Sequence, residues 1–525
     1  MSTKSRFLTG RFPSRWLTIA LALCLVHLFC ACQRRREVSG HPRNLLLVTL
    51  DTVRADHLGA YGYPSAETPA LDHLAKQGLR FDHAGSAVPL TLPSHATILS
   101  GLTPPHHGLR NNAAGRFPTD RETLATRLSG AGYRTGAFVG SFVLDHRFGL
   151  DRGFDVYDDE IERDPSASDS GGLEAERPGS LVVDRALSWL EKTTDEKAGR
   201  PFFAWVHLYD AHAPYTPPEP YRTRHKDALY DGEIASVDAQ VGRLLEFLEK
   251  KKLAASTLVA VAADHGESLG EHGELTHGVL LYEPTMRVPL LLRATGTLPA
   301  GKVIEAPVAL TDLAPTLLGL LEVKPSGGKG DAATDGRDLS AALRTGAEPA
   351  LSDLYAETEY PRIFGWSGLY AIRRGKLKYI AAPRAELYDL SRDPGESANL
   401  LDARARRTDL DVRLSRLQEN ARTPEAAAGR SDEAVAKLAS LGYIGGNPNA
   451  VAGDPKALRD PKDMIRSFHQ FELGHAALLA GHLDEAAALL GRIVAADPGN
   501  SVFRDMLAKT YRRKGDYPRS IALYR

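Results

Sequence analysis

Cysteine is nearly absent from this 525-residue chain: Cys24, Cys30 and Cys32 are the three, all within the first 32 residues. The body of the chain therefore has no disulfide, no thiolate nucleophile and no cysteine metal site. An excess of charge is missing too. Lys and Arg number 65 against 66 Asp and Glu, a formal net charge of −1, which leaves no electrostatic case for nucleic acid. The N-terminal apolar run, 16-WLTIALALCLVHLF-29, is shorter than the roughly 20 apolar residues of a comfortable membrane span. Acidic residues are absent around it, whereas Lys4, Arg6, Arg11 and Arg15 precede it.

A basic flank, a short apolar stretch and the small residues behind it describe an export signal. Ala31-Cys32 resembles a bacterial lipoprotein cleavage site. The chain is thus expected outside the cytoplasm, on the periplasmic side of a bacterial membrane, tethered by a lipid on Cys32 or by an N-terminal anchor. Residues 1–32 form this leader and 33–43 a polar linker.

Beyond it, 44-NLLLVTLDT-52 is a continuous apolar run ending in polar residues, as a buried parallel strand reads where it emerges. Further strands are expected at 202-FFAWVHLY-209, 257-TLVAVAADHG-266 and 288-VPLLLRA-294. Helical patterns lie between them, at 68-TPALDHLAKQGLRF-81 with Thr68 as cap, and over 230–253. Alternating strands and helices point to a three-layer α/β domain with a mostly parallel sheet, over 44–350. Ligands gather at the carboxyl ends of strands in such sheets, where Asp51, Asp264 and His265 stand. From 351 to 400 the texture turns to short antiparallel strands, with a hairpin at 369–380 turning on Arg374-Gly375. A helical and linker segment, 401–466, contains 445-GGNPNAVAGDP-455. In the tail, 467–525, Gly481-His482-Leu483-Asp484 recurs 34 residues on as Gly515-Asp516-Tyr517-Pro518. That period resembles the tetratricopeptide repeat, a helical hairpin array that commonly recruits a protein partner.

Singly, each polar candidate has a bland use: Asp51 as a loop carboxylate, Thr91 as a helix cap, His212 and His277 as loop histidines. Together they make a constellation. Asp51, Asp264 and His265 are a hard-to-borderline ligand set suited to Ca²⁺, Mg²⁺, Mn²⁺ or Zn²⁺. A divalent ion activates a hydroxyl such as that of Thr91 for attack on an ester. His212 and His277 could then meet the ester oxygens, one of them as acid to the leaving oxygen, with Asp210 orienting a histidine or joining a second metal.

The stretch 44–104, with 88-VPLTLPSHATILSG-101, resembles the N-terminal half of the sulfatase family in the alkaline-phosphatase superfamily. The likeness continues through 201-PFFAWVHLYDAHAPYTPP-218, 261-VAADHGESLGEHGELTHG-278 and 387-LYDLSRDPGESANL-400. It implies a large α/β domain with a smaller C-terminal antiparallel sheet. It also implies metal ligation by Asp51, Thr91, Asp264 and His265, and substrate contact by His95, Asp210, His212 and His277. Departures are specific. Thr91 stands where the family carries the Cys or Ser that is oxidised to formylglycine, and threonine cannot form that aldehyde because its carbon bears a methyl group. His95 replaces an arginine, and Leu50 replaces the first of a usual Asp pair. Thr is the nucleophile in related phosphodiesterases and phosphoethanolamine transferases.

The expected activity is metal-dependent hydrolysis of sulfate, phosphate or phosphonate esters through Thr91, with one divalent ion and room for a second. The alternatives are a phosphoryl-type transferase to glycan or lipid, and an inactive sulfatase-fold binding protein that recruits a partner through its repeats.

Overall fold

The computed structural model of the chain describes residues 41–112, 115–161, 175–195, 199–323, 334–401, 409–423, 437 and 458–525. The leader with its three cysteines and the linker at 445–455 lie outside the described residues. Among the described residues, no helix is long and apolar enough to cross a membrane.

Three strands form the centre: β1 (Asn44–Leu50), β6 (Phe202–Leu208) and β7 (Thr257–Ala263), each buried at every position. Covering on both faces is why they read as unbroken apolar runs instead of alternating ones. Around them lie β2 (Leu79–Phe81), β4 (Arg134–Val139), β5 (Val156–Asp158), β9 (Leu290–Arg293) and β10 (Lys302–Ile304). The order across this sheet is β10-β2-β9-β7-β1-β6-β4-β5. β9 runs antiparallel to β7 and β2; the other pairings in the sheet are parallel.

The expected single strand over 288–294 is two. Pro289 has no N–H to give a ladder and separates β8 (Arg287–Val288) from β9. β8 pairs instead with β3 (Ala84–Gly85), which also pairs with β11 (Val308–Ala309) in a separate small sheet. The helix Gly179–Asp195 packs on β4 and β6 and beside the helix Leu229–Lys250, which itself packs on Pro69–Gln77.

A four-stranded antiparallel sheet follows: β12 (Asp353–Thr358), β13 (Leu369–Arg374), β14 (Leu377–Ala381) and β15 (Glu386–Asp389), in that order. Arg374 pairs with Leu377, so the turn residues are Gly375-Lys376, one position beyond the expected pair. Gly375 takes φ +58°, which glycine adopts at little cost. The helix Asp409–Leu417 covers this sheet, with Leu410 and Leu414 against Tyr355, Ile372 and Tyr379.

Four helices close the chain: Pro461–Leu479, Leu483–Ala496, Ser501–Arg513 and Tyr517–Tyr524. Gly481 and Gly515, the repeated glycines, turn the first and second pairs at φ +80° and +78°. The first helix starts ahead of the expected boundary at 467, because Asp460 caps Lys462 and Pro461 takes the first turn. Its Phe468 and Phe471, with Phe503 from the third helix, pack against Phe364 of the body.

Candidate functional site

Strand register puts the site together. Leu50 of β1 lies beside Ala263 of β7 and Leu208 of β6, so Asp51 and Asp264 leave the sheet side by side. Their backbone N–H groups extend the ladder by one step, Asp51 to the Leu208 carbonyl at 2.9 Å and Asp264 to the Leu50 carbonyl at 3.3 Å. Thr52 follows with φ +57°, a left-handed conformation that costs a β-branched residue about 1–3 kcal/mol. Its hydroxyl donates to the Ala211 carbonyl (2.7 Å), and its N–H to Asp264 Oδ1 (3.3 Å). The strain thus holds the loop against the second carboxylate.

Thr91 does not cap its helix. The helix is Thr91–Ser100 with Leu90 as the capping residue, and no side-chain cap is made. Thr91, Asp51, Asp264 and His265 are all fully buried. Thr91 Oγ1, Asp51 Oδ1, Asp264 Oδ2 and His265 Nε2 are each buried without a hydrogen-bond partner. Buried polar atoms left unpaired are rare and expensive, so four together mark a site. Ligand atoms of Asp51, Asp264 and His265 lie within 4.8 Å of one another.

Tautomers sharpen the picture. His265 Nδ1–H donates to the Gly266 carbonyl (3.0 Å), which leaves Nε2 a lone pair 3.5 Å from Asp264 Oδ2. A lone pair facing a carboxylate oxygen is repulsive unless a cation lies between them. Burial raises Asp51 and Asp264 well above ordinary carboxylates, helped by Glu267 at Asp51 and by Asp51 at Asp264; the Thr91 hydroxyl beside Asp51 pulls the other way. Burial, with His277 nearby, depresses His265 far below an ordinary imidazole. Two oxygens and one imidazole nitrogen therefore fit a divalent cation, with Thr91 Oγ1 alongside.

The other expected residues separate into two groups. His277 belongs to the centre, its ring 4.4 Å from that of His265, and His212 lies 5.1 Å beyond it. His212 Nδ1–H donates to the Ala213 carbonyl (2.7 Å) and His277 Nδ1–H to Glu267 Oε1 (2.9 Å). In the neutral ring Nε2 then carries no proton in either histidine, and burial pushes both down to about 3. Nε2 is thus the basic atom in both neutral rings, the one that would take up a proton before giving one to a leaving oxygen.

His95 and Asp210 are both hydrogen-bonded to the protein backbone. His95 is fully buried behind Thr91, its Nδ1–H donating to the Thr91 carbonyl (2.7 Å). Its Nε2 accepts from the Thr49 hydroxyl (3.0 Å), which accepts in turn from Trp205 Nε1–H (2.9 Å). Both nitrogens are thus committed to the protein, and Nδ1 also lies 3.5 Å from Asp264 Oδ2. Asp210 accepts from the Gly179 N–H through both oxygens (2.9 and 3.0 Å) at the start of the helix Gly179–Asp195. It lines a cavity of about 890 Å³ whose wall also includes His212, Tyr209, Pro214, Thr216 and Glu233.

Three contributors were not singled out from the sequence. His207 Nδ1 accepts from Gly140 N–H (3.3 Å), so its Nε2–H donates to Asp51 Oδ2 (3.2 Å). Glu267, fully buried, accepts from both His277 and the Tyr215 hydroxyl (3.1 Å). Asn112 Oδ1 accepts the Leu92 N–H (2.8 Å) beside Thr91. A polar residue inside the apolar strand FFAWVHL was the available signal for His207.

Fold and centre together define an alkaline-phosphatase-like α/β protein with a buried carboxylate and imidazole cluster beside a threonine. The sulfatase family model matches residues 43–323, and that of the C-terminal part of N-sulphoglucosamine sulphohydrolase matches 270–422. The chain belongs to the sulfatase family, whose named relatives are sulfuric ester hydrolases. It is 30% identical over 351 residues to N-acetylgalactosamine-6-sulfatase of Canis lupus familiaris, covering 58% of this chain and 66% of that protein's length. Arylsulfatase A of Bos taurus is 28% identical, covering 70% of this chain and 84% of the relative. Among solved structures, Ps i-CgsB in complex with k-i-k-neocarrahexaose shares the fold at TM-score 0.62 and 21% identity, over 76% of this chain and 98% of that one. Phosphonate monoester hydrolase of Agrobacterium radiobacter does so at TM-score 0.57 and 23% identity, over 68% and 91%.

Proposed function

We propose that the protein hydrolyses sulfate, phosphate or phosphonate esters through a covalent Thr91 intermediate, with Asp51, Asp264 and His265 holding a divalent cation. The observation that carries this is the buried cluster of Asp51, Asp264 and His265 ligand atoms within 4.8 Å of one another, with the Thr91 hydroxyl beside Asp51. A bound divalent ion supplies charge that lowers the pKa of a neighbouring hydroxyl and offsets the negative charge of the ester oxygens.

The chain's own groups do the rest. His95 and Asn112 fix the helix start at Thr91, His95 through the Thr91 carbonyl and Asn112 through the Leu92 N–H. Thr91 Oγ forms a bond to the sulfur or phosphorus, and the bond from that centre to the alcohol oxygen breaks. The proton leaving Thr91 is balanced by one arriving on the alcohol. Nε2 of His277 or His212 is the basic atom in position to carry a proton through the exchange. Water then attacks the Thr91 ester, which regains its hydrogen as the inorganic acid leaves. The cavity beside His212, lined by hydroxyl, carboxyl and proline side chains, suits a polar alcohol as the leaving group. The basic-then-apolar leader ending in Ala31-Cys32 supports export and a lipid tether.

The test compares wild type with Thr91→Ala on aryl sulfate, phosphate monoester, phosphodiester and phosphonate substrates, with added Mn²⁺, Zn²⁺ or Ca²⁺. Turnover is expected to fall by about 10⁴-fold or more in the variant. Activity that survives Thr91→Ala overturns the mechanism. Product appearing only with an acceptor alcohol present makes the enzyme a transferase.

A further inference from the structure

The loop carrying His277 is gripped from two sides. On the inner side, Ser268 N–H donates to the Thr276 carbonyl (2.7 Å), and Glu274 accepts from the N–H of Val279 (2.8 Å) and Leu280 (3.3 Å). On the outer side stands the helix Pro461–Leu479. Its Glu472 Oε1 accepts the Thr276 hydroxyl hydrogen at 2.9 Å, one residue from the imidazole. The same helix lies in van der Waals contact with the loop at Gly273, where a Cβ would stand 3.3 Å from Ile465 Cγ2. After His277, Gly278 takes φ +105°, and a Cβ there would meet the Tyr360 ring at 3.4 Å. Tyr360 is in turn met edge-on by Phe468 of that helix. Both neighbours of His277 are therefore seated on the C-terminal helical segment, directly or through one ring.

We propose that this segment is a working part of the active site: Glu472 is a positioning residue that holds Thr276, and through it the imidazole of His277, over the cation centre. The claim deepens the function proposed above and rests on it, since it is the reacting group His277 that is positioned. The helix is well placed for this because it is itself fixed to the body. Lys462 reaches Glu386 (3.4 Å), and Arg384 makes a two-pronged bond to Asp463 (2.8 Å each). The Glu472 bond is half-buried, so a Thr276 hydroxyl that loses this acceptor turns to another partner, and the loop moves with it.

The experiment measures steady-state kinetics at pH 8 for full-length Glu472→Ala, Glu472→Gln, Thr276→Val and the double variant Thr276→Val/Glu472→Ala. Glu472→Ala and Thr276→Val are each expected to lower kcat by about 10–100-fold with KM within about threefold. Glu472→Gln keeps an acceptor oxygen and is expected to restore most of the rate. The double variant is expected to match the worse single one, because both remove the same bond. Additive losses, or full activity in Glu472→Ala, overturn the proposal. A second readout is separate from turnover: the rate of diethyl pyrocarbonate modification at His277, mapped by peptide mass, rises several-fold in Glu472→Ala if the imidazole is released. An unchanged rate overturns the positioning claim even if wild type shows no turnover on any ester. Conversely, a raised rate in a protein without ester turnover sinks the proposed function and leaves the contact standing.

Discussion

At the scale of single residues, His207 shows how much of the site depends on groups that never face the ester. Its Nε2–H holds Asp51 Oδ2, which leaves Oδ1 as the oxygen aimed into the centre. Hydrogen bonds of this kind fix ligand orientation and typically contribute 10–100-fold to metal affinity. We therefore expect His207→Ala to weaken Mn²⁺ or Zn²⁺ binding by about that factor, read by calorimetric titration, with Thr91 intact. Unchanged affinity would remove His207 from the account. The cluster of Asp51, Asp264 and His265 was legible in the sequence, because these residues end apolar runs of a parallel sheet, where ligand sites gather. His207 was not. A histidine inside an apolar strand reads as core until the register places it beside Thr49, two residues short of Asp51. For His95 the position in the motif is visible in the sequence, but the direction of its ring is decided by Thr49 and Trp205, remote in sequence.

At the scale of elements, the turn after β7 does the most with the fewest residues. Gly266 follows His265, and its N–H donates to the Thr285 carbonyl at 2.8 Å. A Cβ there would stand 2.0 Å from the Pro284 carbonyl oxygen, a backbone atom that cannot yield cheaply. Gly266→Ala is therefore expected to cost about 3 kcal/mol or more, seen as a fall in the thermal midpoint and loss of bound cation together. A variant that melts like wild type would show that the segment 284–285 moves aside freely. The strands β1, β6 and β7 and the long helices could be read directly, since burial on both faces and helical amphipathicity are local patterns. The break at Pro289 and the reversal of β9 could not, because strand direction depends on which partners the neighbouring elements leave available.

At the scale of the whole molecule, stretches far apart in the chain are tied by few polar links. His106 joins Asp335 (2.7 Å) and the Glu419 carbonyl (2.9 Å), and Arg422 reaches Asp120. The Asp335 hydrogen bond raises His106, while His106 and Thr103 hold Asp335 below an ordinary carboxylate against the pull of its partial burial. A raised histidine contributes fully below its unfolded pKa and loses that contribution as pH rises through the folded value. A depressed carboxylate contributes above its unfolded pKa and loses it as pH falls through the folded value. Both are present between about pH 4 and 6.5. Hence the urea stability of wild type over His106→Gln is expected to be larger at pH 5.5 than at pH 8.5, by roughly 0.5–1 kcal/mol. A difference that ignores pH would contradict the link.

The amino-acid order by itself determined the strands, their polar exits, the threonine in place of an oxidisable residue and the 34-residue spacing of Gly481 and Gly515. These follow from local pattern and side-chain chemistry, which a chain carries wherever it folds. Only the tertiary structure decided which nitrogen of each histidine bears the proton, that Asp210 serves a helix start, and that Glu472 touches the loop of His277. Those depend on contacts between residues distant along the chain, and such contacts exist only once the layers have packed.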